Sequence, residues 1–289
     1  MRTSNPILSR RGISRIDAPG TGVAEPRPVG LSAGSPLPGD RPRSPYAGFD
    51  APGPAEDVPA GGRPMTLDDV VVRTAATLGT VALAAVLSWI LLPVDETGVA
   101  RSYAVAVGCA LVAVVLSLLQ TFRRRPSPVL ILCYAAFEGV FVGVLSDVTS
   151  TYIAPGVVVQ AVLGTLTVSA GVLIAYRMRW IRVTARFSGF VLAAATGFVL
   201  LTVADLLFSA FGGGNGLGFD SGGIGIAFGV AGIVLGACFL ALDFRQVEDA
   251  VADGAPREEA WLAAFGLTLT LVWIYLEALR VLTLLRGDD

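Results

Sequence analysis

Seven long apolar runs follow residue 65, and they constrain the fold more than any other feature of the chain. Each has close to the roughly 20 residues that an α-helix needs to cross the hydrocarbon core of a bilayer. The predicted spans are residues 73–92, 103–120, 129–146, 157–176, 187–208, 223–243 and 262–285. Because lipid offers no partner for free backbone N–H and C=O groups, such spans are predicted to be helices. The sequence therefore predicts an all-α membrane protein with seven transmembrane helices.

The distribution of arginine between the loops predicts the orientation of these helices. The chain has 21 basic residues, and all of them are Arg. Of these, 18 lie in residues 1–73 and in the loops 121–128, 177–186 and 244–260. The other three are Arg101, Arg280 and Arg286. Since cytoplasmic loops carry the excess of basic residues, we expect a multi-pass protein of the cell (inner or plasma) membrane with its N-terminus inside and its C-terminus outside.

Residues 1–64 differ in composition from the rest of the chain. They contain 12 of the 17 prolines and few large apolar residues, so they cannot bury enough apolar area to offset their chain entropy. We predict a disordered, Pro/Gly/Arg-rich cytoplasmic tail over residues 1–64 and a seven-helix transmembrane domain over 65–289. The tail is either a solvated linker, the simpler interpretation, or a segment that binds a partner or the membrane surface. Thr66 and Asp69 have the spacing of a capping box, which predicts a helix start.

The composition excludes several classes of function. The chain has no His and no Lys, which excludes His-based catalysis, His-ligated zinc and Ser–Lys dyads. The net charge of −2 gives no sign of nucleic-acid binding. We therefore expect a protein that is not an enzyme and holds no cofactor other than, at most, a calcium ion. The expected partners are the lipid bilayer and Ca²⁺ or protons, since hard cations prefer carboxylate and carbonyl oxygens.

Ionisable groups inside the predicted spans are the candidate functional residues, because a charge in a bilayer is expensive and usually marks function. They are Glu138 in helix 3, Asp205 near the outer end of helix 5, Asp243 at the end of helix 6, and Glu277 and Arg280 in helix 7. Glu277 and Arg280 share one helix face, so they can form a structural ion pair. Alternatively, Glu277 faces a polar cavity and titrates or binds a cation. Glu138 either makes an interhelical hydrogen bond or has a role in transport, where it lines the pathway or pairs with Arg280.

Two further sequence features concern packing and the outer loops. Small residues recur at a spacing of four in Gly139–Gly143, Gly225–Gly229 and Gly232–Gly236, which predicts close contacts between helices. Asp147 and Asp220 lie at the edges of outer loops, and we expect both to be solvated. Asp205, near the membrane interface, is only a secondary candidate for a role in function.

Two short segments resemble the Bax inhibitor-1 (transmembrane Bax inhibitor motif) family. One is the apolar helix end at 240–247 with Asp243, and the other is 274–282, where Tyr-Leu-Glu places Glu277 in the last helix. The Gly-rich segment 138–143 and the arginines at 123–125 fit the same family. The Ser-Asn-Pro at residues 4–6 and the Lys-free composition are similar to actinobacterial-type bacterial members.

The resemblance implies a specific fold and function. It implies six helices around a central seventh, C-terminal helix, and a pH-sensitive calcium leak channel. In such a channel two acids on helices 6 and 7 form a hydrogen-bonded pair that titrates and gates the pore, and the matching positions are Asp243 and Glu277, the possible calcium ligands. The alternative that it implies is a membrane interaction protein that modulates a membrane protease or a stress response, with the tail as its working part.

The spacing between Asp243 and Glu277 leaves two arrangements open. In a simple helical hairpin that turns near Gly254, Asp243 is 11 residues before the turn and Glu277 is 23 after it. The difference of 12 residues corresponds to about 18 Å of helix rise, so the two carboxylates do not touch. If residues 244–264 instead lie at the inner membrane surface and helix 7 runs over 266–285, the two depths are compatible. We expect the second arrangement.

Overall fold

The computed structural model describes residues 63–92, 94, 98–123, 125–153, 155–181, 183–211, 216–219 and 221–287. The helices of these residues belong to one compact unit, Asp57–Asp289. The tail predicted over residues 1–64 lies outside the described residues except for Arg63 and Pro64, so its disorder and its boundary stay predictions.

Seven long helices form the described part of the chain, which confirms the predicted number. Each is long and apolar enough to cross a membrane. They are α1 (Leu67–Leu91), α2 (Val99–Phe122), α3 (Pro128–Tyr152), α4 (Val157–Arg177), α5 (Ala185–Phe211), α6 (Gly222–Ala252) and α7 (Ala260–Gly287), with a short 3₁₀ helix (Arg257–Glu259) before α7. We call the end of the bundle with the loops α2–α3, α4–α5 and α6–α7 the arginine-rich end, and the other the arginine-poor end.

The predicted capping box at the start of α1 is confirmed. The Asp69 backbone N–H donates to the Thr66 hydroxyl at 3.2 Å, and the Thr66 N–H donates to the Asp69 carboxylate at 3.4 Å. Asp69 also accepts a hydrogen bond from Arg257 Nε at 2.7 Å. The chain before α1 pairs with the α6–α7 connection, since the Met65 N–H donates to the Ala255 carbonyl at 2.8 Å. The first turn of α1 is therefore fastened to the start of α7.

Helix α7 lies at the centre of the bundle, as the family resemblance implied. In its most apolar stretch 56% of the residues are buried inside the protein, against 17% in α1 and in α2. It packs against α1, α3, α4 and α6 along its length. Side chains connect it to the other two helices, because Phe265 clusters with Ala113 of α2 and Trp273 lies 5.5 Å from the Phe198 ring of α5. A predominantly apolar helix that is surrounded by protein in this way has little surface left for lipid.

Glycines bring two pairs of helices into close contact, as their spacing predicted. A Cβ at Gly139 of α3 would lie 2.8 Å from the Ala84 Cβ of α1, and a Cβ at Gly236 of α6 would lie 2.6 Å from the Ile274 side chain of α7. Real Cβ atoms do not approach this closely, so these contacts require Gly. Backbone approach of this kind is a main source of helix association in lipid, where the hydrophobic effect does not drive it.

The expected arrangement of residues 244–264 is wrong. They do not form a separate segment, and helix 7 is not confined to 266–285, because α6 continues without a break to Ala252 and α7 begins at Ala260. The chain turns at Gly254, which has the left-handed φ of 67° that Gly adopts without strain. The two helices thus form the simple hairpin, and its turn lies where the first arrangement put it.

Candidate functional site

Asp243 lies on α6 within the membrane-spanning part and faces α7. Its Oδ2 accepts a hydrogen bond from the Thr270 hydroxyl at 2.6 Å. A Cβ at Gly266, one turn before Thr270, would lie 3.5 Å from Asp243 Oδ1. The carboxylate therefore occupies the α6–α7 contact at the level of residues 266–270. Thr270 is a site residue that the sequence did not single out, because a Thr hydroxyl in a helix usually bonds to the preceding turn of its own helix.

Glu277 lies on α7 against a glycine of α6. A Cβ at Gly232 would lie 2.7 Å from the Glu277 Cδ, so the missing side chain of Gly232 provides the space for the carboxylate. Arg280 Nη1 is 3.5 Å from Glu277 Oε2, which confirms that these two residues can pair on one helix face. The Glu277 side chain is mostly buried, with 13% exposed. The ion pair is therefore held largely out of solvent.

Arg280 also connects α7 to the α5–α6 loop. Its Nη2 donates a hydrogen bond to the Phe219 carbonyl, and its guanidinium lies 5.2 Å from the centre of the Phe228 ring. Phe228 stacks on Phe219 at 4.7 Å and on Phe198 at 4.2 Å. The Phe219 and Phe228 rings and Arg280 therefore join α6, α7 and the α5–α6 loop at the arginine-poor end.

Asp243 and Glu277 lie at different depths and do not form a pair. On α6 the glycine beside Glu277, Gly232, is 11 residues from Asp243, which corresponds to about 16 Å of helix rise. On α7 the partner of Asp243, Thr270, is 7 residues from Glu277, or about 10 Å. The hydrogen-bonded pair that the resemblance implied is therefore absent between these two described residues, and a role of either carboxylate as a calcium ligand stays a prediction.

Glu138 lies on α3 at about the depth of Asp243. The Tyr134 ring packs 5.2 Å from the Phe265 ring, and the Ser146 hydroxyl is 2.7 Å from the Tyr275 hydroxyl. Glu138 lies a third of the way along α3 from Tyr134 to Ser146. It is therefore level with the position a third of the way along α7 from Phe265 to Tyr275, which is about Thr268. Within the described residues no hydrogen bond or ion pair reaches its carboxylate. Arg280 is 12 residues further along α7, about 18 Å away in depth, so the alternative in which Glu138 pairs with Arg280 is excluded and the one in which it lines the pathway stays a prediction.

Asp205 and Asp147 have roles that differ from those expected. Asp205 is buried at 6% exposure, and its Oδ1 accepts a hydrogen bond from the Leu217 N–H at 2.6 Å. It therefore holds the α5–α6 loop. Asp147 is also buried, at 8% exposure, and accepts from Thr151 at 3.3 Å, so the expectation that it is solvated is wrong. Asp220 lies outside the described residues.

Among the described residues no three Asp, Glu, Cys or His side chains come together in a way that could hold a metal ion. A calcium ion in a protein cage takes six to eight oxygen ligands. The three carboxylates Glu138, Asp243 and Glu277 instead lie at two levels, Glu138 and Asp243 at one and Glu277 at the other. Such an arrangement can give a passing cation successive attractive positions, but it does not resemble a tight binding site.

The amino-acid sequence was compared with protein families and with curated proteins. A family model with the description "Bax inhibitor 1 like" matches residues 5–287, nearly the whole chain. No curated protein matches the sequence.

Proposed function

The chain belongs to the Bax inhibitor 1 like family, and with seven apolar helices it is an integral, multi-pass membrane protein; from this we propose that it is a cation leak channel that conducts mainly Ca²⁺. The observation that carries the proposal is the pair of carboxylates on the α6–α7 contact, Asp243 and Glu277, about 10 to 16 Å apart in depth. Ionisable residues inside a helix bundle are expensive and mark ion pathways. Ca²⁺ is cargo here, attracted by one carboxylate after the other.

The contacts of Arg280 support a closed state for this channel. Arg280 holds Glu277 by charge and the α5–α6 loop through the Phe219 carbonyl. The Arg280 charge favours the ionised form of Glu277, so protonation has to compete with this ion pair, and where it succeeds it removes the negative charge of the pair. Arg280 is then no longer attracted by a negative charge on Glu277, and its hydrogen bond to the Phe219 carbonyl of the α5–α6 loop weakens. Glu277 is thus the proposed proton-sensitive element, and Asp243 is a separate attractive position nearer the arginine-rich end.

We further propose that the membrane is the inner (plasma) membrane, with the arginine-rich end toward the cytoplasm. The 18-to-3 division of arginines supports this orientation. Under the proposal the α6–α7 turn is cytoplasmic and the α5–α6 loop is outside. Protons from the outer medium then pass the α5–α6 loop, to which Arg280 is hydrogen-bonded, before they reach Glu277.

The first experiment measures Ca²⁺ entry into liposomes that contain the purified protein, at about pH 6 and about pH 8. We expect the wild type to conduct more at the lower pH. Glu277→Gln, which carries no charge at either pH, is expected to conduct at both pH values at about the acidic level of the wild type. Asp243→Asn is expected to lower the flux at both pH values and to keep the pH dependence.

The matched control is Glu259→Gln, the same chemical change in an exposed residue of the 3₁₀ helix. It is expected to behave as the wild type does. If folded wild-type protein conducts no better than empty liposomes at either pH, the leak proposal is refuted and the interaction-protein hypothesis remains. If the pH dependence survives in Glu277→Gln, the gate is elsewhere.

A further inference from the structure

A polar cavity of about 600 Å³ lies at the arginine-rich end, between the end of α4, the α4–α5 connection and α6. Arg177, Arg179 and Arg245 line it, together with Tyr176 and Glu248. We call this cavity the basic pocket. It is separate from the carboxylates that the proposed channel uses.

Two of the three arginines of the basic pocket have no competing partner among the described residues. Arg245 is paired with Asp249 at 2.8 Å, and Glu248 accepts a hydrogen bond from the Tyr176 hydroxyl at 2.6 Å. By contrast, within the described ranges no ion pair or side-chain hydrogen bond involves Arg177 or Arg179. The pocket lining therefore carries three positive charges against one negative charge, and two guanidinium groups are available to a ligand.

The backbone at Arg179 is in a conformation that a side chain rarely adopts. Its φ is 58°, and it is the only described residue other than Gly with a positive φ. The Trp180 N–H donates to the Ala175 carbonyl at 2.9 Å, so α4 ends in a motif in which Gly is the usual residue at the left-handed position. A non-Gly residue held in this strained conformation points to function. The residue in this conformation, Arg179, contributes its guanidinium to the lining of the basic pocket.

The neighbouring residues are of the kinds found at the depth of lipid headgroups. Trp180 is 72% exposed beside Arg179, and exposed Trp side chains are enriched at the boundary between headgroups and acyl chains. Ile181 and Val183 also line the pocket, and both pack against the apolar core. The pocket thus combines a basic rim with apolar side chains, as a ligand with a charged head and an apolar body requires.

We propose that the basic pocket binds the phosphate group of an anionic ligand, which in the membrane is the headgroup of an anionic phospholipid. The planar guanidinium donates two parallel N–H bonds that match phosphate oxygens. Basic pockets between transmembrane helices at the cytoplasmic side commonly hold such headgroups. This inference uses the proposed orientation of the bundle but not ion conduction, because it concerns other residues and is tested by binding.

The test uses the full-length protein in a non-ionic detergent and titrates it with phosphatidylglycerol, while native mass spectrometry counts bound lipid. The variant R177Q/R179Q removes the two available guanidinium groups. The control R123Q/R125Q makes the same change in exposed arginines of the α2–α3 loop, which are outside the pocket. We expect binding to weaken about thirtyfold in R177Q/R179Q and by less than about threefold in the control.

Equal weakening in both double variants, or no lipid bound to the wild type, would overturn the proposal. A separate titration with inorganic phosphate distinguishes the two sources of the anion. If phosphate binds the wild type but not R177Q/R179Q while phosphatidylglycerol binds both equally, the ligand is free phosphate and the lipid assignment is overturned.

A second variant keeps the test decisive if R177Q/R179Q does not fold. Arg179→Gly removes the guanidinium and at the same time relieves the left-handed backbone. We expect it to be at least as stable as the wild type and to bind phosphatidylglycerol less well. Unchanged lipid binding in this folded variant would contradict the role of Arg179.

Discussion

At the scale of single residues, a glycine on one helix provides the space for a buried charged side chain of the neighbouring helix. Glu277 fits between α6 and α7 because Gly232 has no Cβ, and the Trp273 indole N–H fixes the same turn of α6 by donating to the Gly232 carbonyl at 3.2 Å. The same principle applies on α3, where Gly139 admits the backbone of α1. In each case a helix-destabilising residue is kept for packing, which outweighs its weak intrinsic helix propensity.

Replacement of Gly232 by Ala is expected to destabilise the protein. The new Cβ would overlap the Glu277 carboxyl group, which must shift together with Arg280, and overpacking of this kind costs about 1–3 kcal/mol. Thermal unfolding in detergent measures the effect. Gly197→Ala on α5, where a Cβ would meet no atom within 4 Å, is the control and should leave the stability unchanged or slightly raised. Equal unfolding temperatures for the two variants would show that Gly232 does not make room for Glu277.

At the scale of helices, α7 is held by polar contacts to its neighbours as well as by packing. The contacts are Thr268–Thr77 to α1 at 2.7 Å, Thr270–Asp243 to α6 at 2.6 Å, Tyr275–Ser146 to α3 at 2.7 Å and Arg286–Gln160 to α4 at 2.9 Å. Interhelical hydrogen bonds and small residues drive association in lipid, where apolar surface alone does not. These bonds also fix how far each helix is shifted along α7.

Loss of the Asp69 carboxylate is expected to loosen two segments that are distant in sequence. Asp69 caps α1 through Thr66 and binds Arg257. In Asp69→Asn, amide hydrogen exchange should become faster in residues 63–70 and also in 253–259, while the centre of α7 stays protected. Asp68→Asn is the matched control, because Asp68 is exposed in the same helical turn. Faster exchange in 63–70 alone would mean that Asp69 does not hold the α6–α7 connection.

At the scale of the whole molecule, charges are sorted by depth. The loops at one end carry nine arginines, the helices hold Glu138, Asp243 and Glu277 at two levels, and Arg280 binds the α5–α6 loop at the other end. The acidic interior attracts cations and the arginine-rich end repels them, so the side of the membrane that each end faces decides the direction in which this charge order acts. This order depends on the orientation of the bundle in the membrane, which the next prediction addresses.

The orientation is tested by labelling single cysteines in intact cells. Ser127 and Ser221 both precede a helix, α3 at the arginine-rich end and α6 at the arginine-poor end. In a background with Cys109, Cys133 and Cys238 replaced by Ala, a membrane-impermeant thiol reagent should label Ser221→Cys from outside. It should label Ser127→Cys only after the cells are permeabilised. The reverse pattern would invert the proposed topology, and with it the side from which protons reach Glu277.

The sequence by itself determined the features that depend on neighbours along the chain. Hydropathy gave the seven helices, the spacing of Thr66 and Asp69 gave the start of α1, and the three-residue spacing of Glu277 and Arg280 gave their ion pair. Each follows from the geometry of a single helix. For the same reason the Gly motifs correctly marked helix contacts, although not the partner helix.

Only the tertiary structure decided the relative depths of groups on different helices. The register of α6 against α7 separates Asp243 from Glu277, the α3–α7 contacts separate Glu138 from Arg280, and the fold of the α5–α6 loop gives Asp205 its partner. Axial register between helices follows from many side-chain contacts at once, and a shift of one turn moves a group by about 5.4 Å. Periodicity along one chain segment carries no information about that shift, so it could not be read from the sequence.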